Sequence, residues 1–201
     1  NDCMWNDANS RYERWDGSAW VEIEEATLNF SFNFAKYRST WLIDQPDVVT
    51  VMLGTNDFRS QASESAIDGF WDEWKTRMDT LCASVIADSP SAKIAILLPP
   101  TDCGSLDNNG NDFTAKQTAM MWYGRKKVIN DFDDRESEGI YLVDVGRSVD
   151  PDYGFGEIYQ TPFSDYNGTE KRYVHSNVPH PGADGYEQLG IPLAGWIQKV
   201  R

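Results

Sequence analysis

Residues 48–57 read Val48-Val-Thr-Val-Met-Leu-Gly-Thr-Asn-Asp57. A short, nearly continuous apolar run of this kind is a strand buried on both faces, as in a parallel sheet, and the glycine stops it. Two more segments repeat the pattern: Lys93-Ile-Ala-Ile-Leu-Leu98, stopped by Pro99-Pro100, and Ile140-Tyr-Leu-Val-Asp-Val145, stopped by Gly146. Between the first two, Ile67, Phe70, Trp71, Trp74, Met78, Leu81, Cys82, Val85 and Ile86 recur at three- and four-residue steps. That period predicts a helix with one apolar stripe from about Ser63 to Ala87. A second helix, about Phe113 to Asp134, separates the second and third strands. A third runs from Ala183 toward Lys199, with Pro192 expected to kink it or delay its regular part.

Strand, helix, strand, helix, strand, helix predicts an α/β fold, half of a doubly wound parallel sheet with helices on both faces. Such sheets bind ligands beyond the carboxyl ends of their strands. Those ends carry Gly54–Asp57, Pro99–Asp102 and Gly146–Ser148. The front of the chain differs. Arg11-Tyr-Glu-Arg-Trp15 and Trp20-Val-Glu-Ile-Glu24 alternate around Asp16-Gly17-Ser18-Ala19, a hairpin signal. A short amphipathic helix, about Ser31 to Leu42, then leads through Asp44-Gln45-Pro46-Asp47 into the first buried strand.

Composition narrows the function. The 201 residues carry 18 basic and 32 acidic side chains, a formal charge of −14. The only basic runs are Arg125-Lys126-Lys127 and Lys171-Arg172, too little to neutralise a phosphate backbone, so nucleic acid and anionic membrane surfaces are disfavoured partners. No apolar run approaches the ~20 residues of a membrane span. Cys3, Cys82 and Cys103 lack metal-ligand spacing and read as free or partly buried thiols. Asp107-Asn-Asn-Gly-Asn-Asp112 places its Gly too early for a calcium loop and reads as a solvated turn. No metal or cofactor is expected. Asn29-Phe-Ser31 and Asn167-Gly-Thr169 match glycosylation acceptors, a pattern common by chance.

Two segments carry candidate chemistry. In Gly54-Thr55-Asn56-Asp57, Gly54 permits a tight turn, Asn56 aims an amide above the sheet, and Asp57 is expected to hold the turn by accepting backbone N–H bonds. Read alone, the tetrapeptide is equally ordinary turn chemistry. In Asn177-Val-Pro-His180-Pro-Gly-Ala-Asp-Gly-Tyr186, two prolines frame His180, one of only two histidines in the chain. The frame suits a positioned general base, although a lone loop histidine is more often a surface residue.

Together these segments resemble the SGNH hydrolases, the GDSL-type esterase and lipase superfamily, from about Asn29 to the C-terminus. Its third block reads Gly-x-Asn-Asp, as Gly54–Asp57 does, and its fifth Asp-x-x-His-Pro with a following Gly-Tyr, matched by His180-Pro181 and Gly185-Tyr186. Phe32-Asn-Phe-Ala-Lys-Tyr37 is also similar to bacterial and phage-associated members, a lean toward an extracellular, cell-surface or virion location. The resemblance implies a three-layer α/β/α, flavodoxin-like fold and ester hydrolysis by a serine nucleophile. His180 would be the base, and Asn56 an oxyanion donor beside backbone N–H groups from the first and second blocks. The substrate implied is a small ester or an acylated carbohydrate.

The pattern departs from the family at two places. Asn177 stands where the family has Asp. Its amide can accept the imidazole N–H and orient the ring but stabilises imidazolium little, and a carbonyl, Asp150 or Asp165 is the alternative support. No Gly-Asp-Ser block precedes Gly54, and Ser18, in Asp16-Gly17-Ser18, sits in a predicted hairpin turn rather than after a buried strand. The expectation is that residues 1–28 form a hairpin-containing insertion and 29–201 the C-terminal part of one SGNH hydrolase-like domain. Its first strands and catalytic serine would come from a companion N-terminal segment of the same protein. Without that segment, the strand at Val48 would expose an unpaired apolar edge.

The stretch from Asp150 to Asn177 reads as a long loop carrying Tyr153, Phe155, Tyr159, Phe163, Tyr166 and Tyr173. Aromatics with carboxylates at a functional rim can stack on sugar rings. They can equally pin the loop to the core. Tyr153 and Phe155 are taken as substrate-binding candidates, with Asp57, Thr101 and Asp102; Cys103 follows at the same rim. The alternative function is a non-catalytic relative that uses this rim to bind glycans or to assemble into a larger structure.

Overall fold

The computed structural model describes residues 3–6, 11–15, 18–22, 32–101, 115–150, 154–155, 157–160, 172–175 and 180–200. The chain divides into two compact units, Asn1–Asn33 and Phe34–Arg201. In the first, β1 (Cys3–Asn6), β2 (Arg11–Trp15) and β3 (Trp20–Glu22) form an antiparallel sheet in that order. Trp15 pairs with Trp20, the antiparallel pairing that the hairpin signal predicts. β1 was not predicted, because four residues are too few to display a period.

The second unit contains α1 (Phe34–Trp41), β4 (Val48–Val51), α2 (Thr55–Arg59), α3 (Glu64–Asp88) and β5 (Lys93–Leu97). These are followed by α4 (Ala115–Phe132), β6 (Ile140–Val143), β7 (Glu157–Gln160), β8 (Arg172–His175) and α5 (Ala183–Val200). β4, β5 and β6 form a parallel sheet in that order, with Val51 beside Ile96 and Leu97 beside Val143. Adding strands in one direction with right-handed crossovers puts both crossover helices on one face. The packing agrees: Ile94, Ile96, Leu98 and Ile140 meet Ile67, Trp71, Met78 and Val85 of α3 and Met121, Val128 and Phe132 of α4 in one core. On the other face, Ala95, Leu97 and Val143 meet Leu189, Leu193 and Trp196 of α5. The fold is therefore a three-layer α/β/α sandwich, and the unbroken apolar run of β5 reflects a strand covered on both faces.

Local chemistry sets the element ends. Ser63 caps α3, its hydroxyl accepting from Ala66 N at 3.2 Å. β4 ends at Val51, short of the expected Leu53, where the chain begins to turn through Gly54 into α2. Met52 and Leu53 are left 43% and 52% exposed. Pro192 neither delays nor divides α5, which runs unbroken from Ala183. Its missing N–H leaves one helical bond unmade, offset by the packing of Leu189, Leu193 and Trp196 on the sheet. The long loop expected from Asp150 to Asn177 instead contains β7 and β8, paired antiparallel from Glu157–His175 to Gln160–Arg172.

Candidate active site

The Gly54 turn is built by packing. Gly54 has φ 104°, the left-handed region, and an added Cβ would lie 2.5 Å from Phe58 Cε2. Phe58 N donates to Gly54 O at 2.9 Å. The Phe58 ring is 1% exposed and lies 5.3–6.4 Å from the rings of Trp74, Trp71 and Phe70. Its other neighbour is Gly124 of α4, where any Cβ would run into the ring. Phe58 thus nails α2 to α4 and leaves Asn56 and Asp57 exposed in the first turn, beyond the carboxyl end of β4. The role expected for Asp57 in the turn is not observed. Its carboxylate accepts none of the described hydrogen bonds, and the turn is held by Gly54 and Phe58.

His180 stands on a backbone framework. Pro181 bridges to Phe155, Gly182 N donates to Gly154 O at 2.8 Å, and Gly154 N donates to Asp150 O at 2.8 Å. Asp150 N donates to Gln188 Oε1 at 2.6 Å, and Gly185 lies so close to Gly154 that any Cβ would overlap its carbonyl. The two glycines let the start of α5 lie flat on the chain that follows β6. His180 itself is exposed.

These contacts orient the two motifs. The N-terminal half of α5 touches residues that follow β6, whereas Trp196, in its C-terminal half, stacks edge-on to Tyr141 near the start of β6 at 5.4 Å. α5 therefore begins at the carboxyl end of the sheet. Asn56 and His180 occupy that same end, the first beside α4 and the second before α5, with no hydrogen bond between them among the described residues.

The remaining candidates separate. Thr101 is 8% exposed behind the Pro99-Pro100 step. Phe155 is 2% exposed within the α5-side core. There it packs with Val149 and Leu189, and its backbone bridges to Pro181. Asn177, Asp102, Tyr153 and Cys103 lie outside the described residues. Ser18 lies between β2 and β3 of the first unit. Cys82 is not a hidden nucleophile, since burial pushes its thiol up to about 11. Among the described residues no group of three or more His, Cys, Asp or Glu could hold a metal, and no helix is long and apolar enough to cross a membrane.

One residue at this rim escaped the sequence reading. Arg125 of α4, read only as part of a basic run, is 2% exposed. Its Nη1 donates to Pro99 O at 2.6 Å and its Nη2 to Asp144 Oδ1 at 2.7 Å. The signal was its spacing: Met121, Arg125, Val128 and Phe132 fall on one helical stripe, an arginine among core residues.

The family model described as GDSL-like Lipase/Acylhydrolase matches residues 27–193. Among solved structures, the chain is similar to the crystal structure of phospholipase A1 from Streptomyces albidoflavus NA297. The two share 14% identity over 75% of this chain and 68% of that one, with a TM-score of 0.47. No curated protein matches the sequence.

Proposed function

The chain belongs to the GDSL-like lipase/acylhydrolase family, a family of ester-cleaving hydrolases, and on that premise we propose that it works as a serine esterase on a small carboxylic ester or an acylated carbohydrate. The observation that carries this reading is the placement of Asn56 and His180 at one end of a parallel sheet. In the proposed reaction a serine hydroxyl attacks the ester carbonyl while His180 takes its proton. The oxyanion that develops accepts from the Asn56 side-chain amide and from backbone N–H groups, Gly54 supplying the turn that aims the amide. Collapse expels the alcohol, to which His180 returns the proton, and water then releases the acyl group by the same route. Because the donors serve charge that exists only in the transition state, Asn56 lowers the barrier rather than tightening ground-state binding.

The serine is assigned to a companion N-terminal segment, with residues 1–28 as an insertion and 29–201 as the C-terminal part of the hydrolase domain. In support, β4 is an edge of the sheet among the described residues, with apolar Met52 and Leu53 exposed at its end. Asn177 takes the place of the acid that supports the imidazole. It orients the ring through its amide, and it stabilises imidazolium less than a carboxylate does. Asp57 and Thr101, with Asp102 and Tyr153, are assigned to the substrate groove.

Hydrolysis of p-nitrophenyl acetate by the complete polypeptide tests the reading. His180→Ala is expected to abolish turnover, and Asn56→Ala to lower kcat by about 10²–10³ with KM little changed. Unchanged turnover in His180→Ala would refute the assigned base. The second reading, a non-catalytic glycan-binding or assembly module, is favoured by Asn177 and by the absence of a Gly-Asp-Ser block from these 201 residues. An upstream reading frame with no serine in that block would decide for it.

A further inference from the structure

We propose that Arg125 is a positioning residue of the active site, a clamp that fixes the chain segments leaving β5 and β6 relative to the Asn56 turn. The inference rests on the esterase reading for its kinetic consequence, but the clamp itself is a matter of geometry.

The sheet alone cannot hold these segments in place. Beyond Leu98 the next two residues are Pro99 and Pro100, which carry no N–H, so the chain leaving β5 offers no backbone donor until Thr101. Among the described residues the last backbone tie between the two segments is Gly146 N to Leu98 O at 3.0 Å. There the chains approach so closely that a Cβ on Gly146 would sit 2.5 Å from the Pro99 carbonyl. Past that point the Pro99 carbonyl would be left over, and Arg125 Nη1 takes it. The other arm of the same guanidinium holds Asp144, whose Oδ1 also accepts Arg147 N at 3.3 Å and so braces the turn after β6. One planar, two-armed donor therefore ties two segments that the sheet can no longer tie.

The guanidinium is committed to this task. It is buried, the Trp122 ring covers it at 5.1 Å, and its Nε has no hydrogen-bond partner among the described residues. An arginine kept in the core at the expense of an unpaired N–H is held for what its two Nη groups reach. Its neighbour in sequence is Gly124, the seat of Phe58 and hence of α2. Residues 124 and 125 thus fix, from one turn of α4, both the Asn56 turn and the segment that leads to Thr101. An error of about an ångström in an oxyanion donor is enough to slow chemistry strongly while leaving substrate affinity intact.

The test compares wild type, Arg125→Met, Arg125→Lys, Asp144→Asn and, as a control remote from the rim, Arg38→Ala, all in the complete polypeptide. Two quantities are measured: kcat and KM on p-nitrophenyl acetate, and hydrogen exchange of peptides covering 97–101, 144–147 and 53–58. Arg125→Met is expected to lose about 10- to 100-fold in kcat with KM within about twofold, and to exchange faster in those peptides while α3 stays protected. Arg125→Lys, which keeps the charge and can reach one partner, should recover part of the loss. Arg38→Ala should lower the melting temperature and leave kcat unchanged. If Arg125→Met does not fold, Asp144→Asn and Arg125→Lys carry the same comparison. Folded variants with wild-type kcat, or with unchanged exchange at 97–101 and 144–147, would overturn the proposal. If wild type itself hydrolyses no ester, the esterase reading fails and the exchange data alone decide the clamp.

Discussion

At the scale of single residues, the site depends on backbone positions more than on functional side chains. Gly54 was legible in the sequence because a glycine between a buried strand and a helix has few other reasons to be there. The tightness of its contact was not, because it depends on Phe58, a residue that reads as ordinary helix lining. Replacement by alanine meets two penalties at once: a positive φ and a Cβ against a ring with no room to retreat. Gly54→Ala is therefore expected to cost at least about 1–3 kcal/mol in urea unfolding and to lower kcat by displacing Asn56. Wild-type stability in that variant would show that the turn relaxes without Phe58. Cys82 allows a second test at this scale. With its thiol pushed up to about 11 and its side chain 1% exposed, it should stay unmodified by a thiol reagent at pH 8 in a Cys3→Ser, Cys103→Ser background. It should react at once when the chain is unfolded in urea. Prompt labelling of the native protein would place Cys82 at the surface. Arg125 shows the opposite limit of legibility: a charge pattern hid a residue that the helical period exposes.

At the scale of elements, length decided what could be read. The 25-residue α3 is about seven turns long, enough to display its stripe, and its expected start at Ser63 coincides with the observed cap. α2, β7 and β8, of five, four and four residues, are too short to show any period, and tertiary pairing makes them. α1 is a further case. Eight residues with little apolar contrast would be marginal alone, and it is fastened to α3 by Arg38, which donates to Asp88 at 2.5 and 2.8 Å and to the Ile43 carbonyl at 2.8 Å. The hydrogen bond from Arg38 holds the Asp88 carboxyl below its ordinary 3.8. A carboxylate with a depressed folded value stabilises fully above the unfolded value, and the contribution fades as pH falls through the folded one. Asp68, bonded by Lys127 and Tyr123, and Glu138, bonded by Arg135, are depressed in the same sense. Melting temperature is accordingly expected to hold steady above about pH 5 and to decline below about pH 4. Asp88→Asn should weaken the acid-side decline while lowering the plateau. An unaltered slope in that variant would assign the acid sensitivity to other carboxylates.

At the scale of the whole molecule, the sheet raises the question that the composition hid. A charge of −14 and ample aromatic residues describe a chain able to bury a core, and the second unit does bury one on each face of its sheet. Yet among the described residues the parallel sheet has three strands and keeps two edges, and one of them, β4, is the strand that leads into the turn of the candidate oxyanion donor. Among the described residues, an edge built from Val48-Val-Thr-Val51 and followed by exposed Met52 and Leu53 has no strand paired to its outer side and lies beside apolar surface, the combination that promotes association. A companion segment that adds a strand along β4 would cover that edge and bring its serine to the carboxyl end of the sheet, next to Asn56. The same addition would therefore change both colloidal behaviour and chemistry. Prepared alone, these 201 residues are expected to self-associate with rising concentration in light scattering. They should hydrolyse p-nitrophenyl acetate no faster than their own His180→Ala variant. The complete polypeptide should be monodisperse and active, and its activity should vanish with His180→Ala. A monodisperse, active 201-residue chain would place the nucleophile within it and remove the need for a companion strand.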